Sequence, residues 1–208
     1  MHTVALWLLL AAAILFFWAI GAASRLLRLR AAVHAAFAAL DEQLLRQLVW
    51  MQGCLPEELR GETSTLPPSD IGAITQDAAA VANAAWARLH AASDQFALAL
   101  AAARKAPLDA ASTAALVLAH EAMRGAWASA LTDAVPPDAV PSPERLQQRW
   151  MRLLLQAIPL RAAYNDAAAA YNRARAQFPA SILAALARMR PAGSLSRLAE
   201  TPPQPPQQ

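Results

Sequence analysis

From Thr3 to Ser24 the chain carries no charged side chain, and nothing else in it constrains the fold as tightly. A run of ~20 apolar residues, rising 1.5 Å each, is long enough to cross the hydrocarbon core of a bilayer. Trp7 and Trp18 lie toward its ends, where interfacial tryptophans are favoured. Residues 1–24 are therefore expected to be a transmembrane anchor. A cleaved signal peptide competes with this reading, because "AIGAAS" offers small residues that a signal peptidase accepts. Against cleavage, no positively charged n-region precedes the run, and the apolar stretch is longer than a usual h-region. Arg25, Arg28 and Arg30 follow the run, while no Lys or Arg precedes it. That asymmetry predicts a single-pass inner-membrane protein with a short N-terminus outside and residues 25–208 in the cytoplasm. The lone Cys54 excludes an internal disulfide and agrees with a reducing compartment.

Beyond the anchor, apolar residues recur at helical spacing between proline breaks. Leu26, Leu29, Val33, Phe37, Leu40, Leu44, Leu48 and Met51 form one stripe, with no proline or glycine between Ser24 and Met51. The first helix can thus continue straight out of the anchor until Gly53 and Pro56. A second helix is expected from Ser69, its cap, to Lys105, with Ile71, Ile74, Ala78, Val81, Ala85, Leu89, Ala92, Phe96 and Leu100 inward. A third runs from about Asp109 to Thr132 on Leu116, Ala119, Met123, Trp127 and Ala130. Ser142 and Pro143 open a fourth, since proline is tolerated in the first turn. It should reach Phe178, kinked or divided at Pro159. No segment shows sustained β-branched alternation. The fold class expected is all-α: a transmembrane helix followed by an antiparallel up-and-down four-helix bundle over residues 25–190. Residues 191–208, ending in "ETPPQPPQQ", read as a disordered proline-rich tail.

The only two tyrosines stand in "YNDAAAAYNRARAQFP", each followed by asparagine. Tyr164, Tyr171 and Phe178 are seven apart and share one helix face, with Ala167 and Ala174 between them. Large and small side chains alternating along a seam let a neighbouring helix approach while the rings fill the gaps. Asn165 and Asn172 sit one position off the seam, where alanine is the better helix former, and their repetition points to amide hydrogen bonds to an adjoining helix. Together Tyr164, Asn165, Tyr171, Asn172, Phe178 and Pro179 form the expected structural seam.

"YNDAAAAYNRARAQFPASILAAL" resembles the C-terminal signature of the LemA family, in which two Tyr-Asn pairs and a Phe-Pro-Ser segment close the last long helix. The apolar anchor followed by "RLLRLRAAVHAAFAALDEQLLRQ" is similar to the family's first helix, whose Asp-x-Gln-Leu core falls here on Asp41, Gln43 and Leu44. The chain departs from the family pattern at "LVWMQGCL" and "LLLQAIPLRAA", as a divergent member would. The resemblance implies a membrane-anchored antiparallel bundle, and the family has no agreed enzymatic activity.

Catalytic constellations are not found in the sequence. His34, His90 and His120 fall on three predicted helices without a second histidine at i+3 or i+4, so no metal or haem is expected and each reads as a surface or edge residue. Cys54 has no basic cluster to activate it, and the glycines form no phosphate-cradling loop. Asp41 and Glu42 are adjacent on a helix and point to different faces. The formal charge of +3 comes from 18 basic residues scattered among 15 acids, and "RARAQ" and "RLLRLR" lack interleaved aromatics, so no nucleic acid is expected. The function expected is a non-enzymatic adaptor or scaffold with no cofactor. It would present an interaction surface to a protein partner at the membrane, with homo-oligomerisation left open. A sensor-type bundle that binds a small ligand or cofactor is the alternative. One further segment bears on the membrane. In "ASILAALARMR", Ile182, Leu183, Leu186 and Met189 share a side of a short helix with Arg188 and Arg190 near its end. It reads as a lid on the bundle or as a surface lying on lipid, with Arg188 and Arg190 joining Arg25, Arg28 and Arg30 in a basic ring worth ~1 kcal/mol per arginine beside an anionic leaflet.

Overall fold

With no helix breaker to interrupt it, the first helix α1 (His2–Cys54) runs without a break from the uncharged stretch into the domain. The computed structural model describes residues 2–56, 73–137 and 139–195, and side chains for these except residues 2–5, 8, 11, 12 and 73–78. Among the described residues four more helices follow: α2 (Ala73–Lys105), α3 (Ala110–Asp133), α4 (Pro143–Ala176) and the short α5 (Ala180–Leu186). No strand occurs among the described residues. The protein is all-helical, as expected. Among the described residues no helix is long and apolar enough to cross a membrane. The anchor thus gains no support from this measure, and residues 3–5, 8, 11 and 12 of its run lie outside the described side chains.

Ring contacts and hydrogen bonds fix the helix directions. Along α1, Trp18 meets Phe178 and Phe37 meets Tyr164, with ring centroids 5.3 and 5.9 Å apart. Further up, Gln43 and Gln47 each donate from Nε2 to the Leu153 carbonyl at 3.0 Å, and Trp50 stacks on Trp150. As α1 residue numbers rise, their α4 partners fall, so α1 and α4 are antiparallel. Asp41 pairs with Arg104 of α2 at 2.6 Å, while Gln47 and Trp50 meet His120 and Trp127 of α3. Phe96 of α2 packs on His120, level with Gln47, so α2 runs against α1 and α3 along it. Trp50, Trp127 and Trp150 close one end of this four-helix arrangement.

The α1 stripe is the core. Leu26, Val33, Phe37, Leu40, Leu44, Leu48 and Met51 are buried, and Leu29 packs against them half-buried. On α2, Ala85, Leu89, Phe96 and Leu100 are buried, whereas Val81 is exposed. Ser69 and Ile71 lie outside the described residues, as Ile74 and Ala78 lie outside the described side chains. All five apolar residues expected inside α3 are buried. Asp109 caps that helix, its Oδ2 accepting from the Ser112 N–H at 2.9 Å.

Of the kink or division expected at Pro159, division does not occur, for α4 is continuous from Pro143 to Ala176. Pro159 and Leu155, whose carbonyl loses its partner, are both exposed, so water can satisfy that carbonyl. The helix also ends before Phe178. Its C-cap Gln177 is extended, and Phe178 is 66% exposed rather than part of the seam. A residue preceding proline is disfavoured in the α region, which outweighs the heptad spacing.

Candidate functional site

The two Tyr-Asn pairs bind an extended backbone segment, not a helix. Residues 189–195 run back along α4 as a strap. Asn172 holds Ala192 twice, its Nδ2 donating to the Ala192 carbonyl at 2.9 Å and its Oδ1 accepting from the Ala192 N–H at 2.8 Å. Asn165 Oδ1 accepts from the Leu195 N–H at 2.8 Å. Between them, the Tyr164 hydroxyl shares its hydrogen between the carbonyls of Pro107, at 2.7 Å, and Gly193, at 3.0 Å. The Tyr171 hydroxyl donates to the Arg190 carbonyl, and Arg175 Nε to that of Met189. Gly193 N–H reaches across to the Leu108 carbonyl in the α2–α3 turn at 3.1 Å. Burial pushes the Tyr164 phenol up to about 12, so its proton stays in place. A seven-residue repeat on a helix matches about two turns, or ~10.5 Å, the span of about three extended residues. Asn172 meets Ala192 and Asn165 meets Leu195, three residues on, so the sequence repeat is the spacing of the strap.

Ala192, Gly193 and Leu195 are buried. Residues 191–195, assigned from sequence to the tail, thus belong to the folded unit; residues 196–208 lie outside the described residues. Gly193 is required by close approach. A Cβ there would meet Thr113 Oγ1 and would lie 2.8 Å from Ala110 Cα.

The strap carries arginines into a groove. Arg30 and His34 of α1, Lys105 at the end of α2, Asp109 of the α2–α3 turn, and Arg188 and Arg190 line a cleft of about 620 Å³. The Asp109 carboxyl is held below its usual range, first by the Ser112 N–H and hydroxyl hydrogen bonds and to a lesser degree by Arg190. Arg188 adopts φ 50°, the left-handed region. It ends α5 in a Schellman arrangement, with Met189 N–H bonded to the Ala184 carbonyl and Arg188 N–H to that of Ala185. Glycine is the usual residue there, and a side chain costs roughly 1–2 kcal/mol.

The five arginines expected to form one ring are divided. Arg30, Arg188 and Arg190 share the groove. Arg25 lines a separate cleft of about 330 Å³ with Phe17, Trp18, Phe178 and Pro179, and Arg28 is exposed. The short helix is divided between core and surface. Ala180 and Ala184 turn inward, while Ile182 and Leu186 are 59% and 83% exposed.

His120 is the other correction. It is buried, not at an edge, with Nε2 3.0 Å from Gln47 Oε1 and no partner for Nδ1. Its place at i+4 from Leu116 and i−3 from Met123 was the signal for this. Among the described residues no three His, Cys, Asp or Glu side chains gather as metal ligands. Compared with known proteins, the chain matches no family model, no curated protein and no solved structure.

Proposed function

We propose that this chain is a membrane-anchored, non-enzymatic helical bundle of LemA-like type, a divergent member that serves as an adaptor or scaffold at the inner membrane. Its N-terminal run is the single-pass anchor, and its bundle lies in the cytoplasm and presents a surface to a protein partner. One observation carries the reading. The large apolar residues of the run described between Leu6 and Ile20, Phe16, Phe17 and Trp18 among them, stand exposed on a helix that continues directly into the core. A contiguous apolar surface of that kind calls for lipid or protein to cover it.

Phe178 supports lipid. It is exposed, yet it packs on Trp18, a residue inside the uncharged run. The end of α4 therefore reaches the level of the anchor, and Ile182 and Leu186 on α5 continue the apolar surface beside it. With three arginines following the run, these residues would sit at the bilayer boundary. The alternative, a sensor-type bundle for a small ligand, has the arginine-lined groove in its favour.

A pair of C-terminal fusions tests the topology. A phosphatase active only after export should be inactive on this chain, while a fluorescent protein that folds in the cytoplasm should be bright. Strong phosphatase activity with a dark fluorescent fusion would overturn the cytoplasmic placement.

A further inference from the structure

We propose that the groove between α1, the α2–α3 turn and residues 187–190 binds a phosphate group, carried by an anionic phospholipid headgroup or by a small soluble phosphate ester. Four cationic side chains line it, Arg30, Lys105, Arg188 and Arg190, against one carboxylate, Asp109. Asp109 is already occupied as the cap of α3, accepting from both Ser112 N–H and Ser112 Oγ at 2.9 Å. Among the described residues none of the four cations forms a salt bridge. Like charges gathered in one cleft repel, and an anion seated among them removes that repulsion. Guanidinium groups match phosphate oxygens with two parallel N–H donors, and the lysine adds a point charge. The cleft's volume, about 620 Å³, is that of an ordinary small-ligand site.

The backbone carrying these arginines is fixed rather than loose. The Arg190 and Met189 carbonyls are held by Tyr171 and Arg175, and the turn at Arg188 is closed by its two backbone bonds. Arg188 stands at a left-handed position where glycine would fold more easily. Backbone strain kept at one residue is a mark of a functional site, and here the strained residue brings a guanidinium to the groove. Arg30 is six residues beyond Ser24, ~9 Å along the helix, which puts the groove within a long side chain's reach of the headgroup layer. The lipid source rests on the membrane reading above; the phosphate chemistry does not.

The test uses the full chain in uncharged detergent micelles, with two probes. Glycerol 3-phosphate is titrated in solution, and phosphatidic acid is doped into the micelles against phosphatidylcholine as control. The expected result is saturable, salt-weakened binding of at least one probe, accompanied by a rise in melting temperature. Lys105→Gln with Arg190→Gln should weaken it by about tenfold or more, as loss of charge-assisted hydrogen bonds does. Arg188→Gly separates binding from folding, since it should melt above the parent without ligand and still bind more weakly. Response to phosphatidic acid without competition by glycerol 3-phosphate assigns the lipid, and response to glycerol 3-phosphate alone assigns a soluble ester. Absence of saturable binding to both probes, or variants that bind as the parent does, would overturn the groove. A chain that proves not to be membrane-integral yet binds glycerol 3-phosphate would refute the anchor and keep the groove. A membrane-integral chain that binds neither does the reverse.

Discussion

His120 shows how one side chain can set the response of a whole domain to acid. It is enclosed among Gln47, Phe96 and the α3 stripe, and burial first, then the positive charge of Arg124, brings its pKa from 6.5 down to about 3. The folded state thus holds a neutral imidazole where the unfolded chain takes up a proton near pH 6.5. The stability this group contributes is complete above that pH and is lost as pH falls from 6.5 toward 3. A one-proton difference corresponds to about 1.4 kcal/mol per pH unit. Asp109 and Glu144, whose carboxyls are held below their ordinary values of 3.8 and 4.5, act only at lower pH. Between pH 7 and pH 5 the urea midpoint of the parent should therefore fall, and His120→Gln should flatten that dependence. A parent midpoint that is constant over this interval would contradict the buried neutral histidine.

Elements were legible where a single period governs them. The inward residues of α1 and α3, the Asp109 and Pro143 starts and the break near Lys105 all follow from spacing and capping. The strap was not legible. Its partners are backbone carbonyls and amides of Arg190, Ala192, Gly193 and Leu195, groups every residue possesses, and "RPAGSL" reads like a linker. The regular beat of the Tyr-Asn pairs showed that α4 repeats a contact, but not that the contact is an extended chain. Phe178 was misplaced because the heptad count does not contain the point where the helix stops. At this scale Gly193→Ala is the informative change. The added methyl meets the α3 backbone at Ala110, which cannot yield as a flexible side chain would. Its cost should be ~1–3 kcal/mol, as for an overpacked core. Hydrogen exchange should report where it falls. The Ala192 and Leu195 amides, held by Asn172 and Asn165, should lose protection while the middle of α1 keeps its own. Equal protection of the strap in parent and variant would mean that the close approach at Gly193 is not needed.

On the scale of the molecule, one helix joins the uncharged run to the core. The buried stripe of α1 begins at Leu26, immediately after the uncharged run ends at Ser24, so the helix proposed as the anchor also builds the core. If that run spans a membrane as proposed, such continuity orients the bundle on it without a hinge. On that proposal Arg25 and Phe178, which line one cleft, would lie at the boundary, and the groove of Arg30, Arg188 and Arg190 just above. The most direct measurement is extraction of isolated membranes with alkaline carbonate, followed by blotting of pellet and supernatant for the full chain and for a chain lacking residues 1–24. If residues 1–24 are the anchor, the full chain stays in the pellet and the shortened chain is released. Release of the full chain into the supernatant would contradict the anchor.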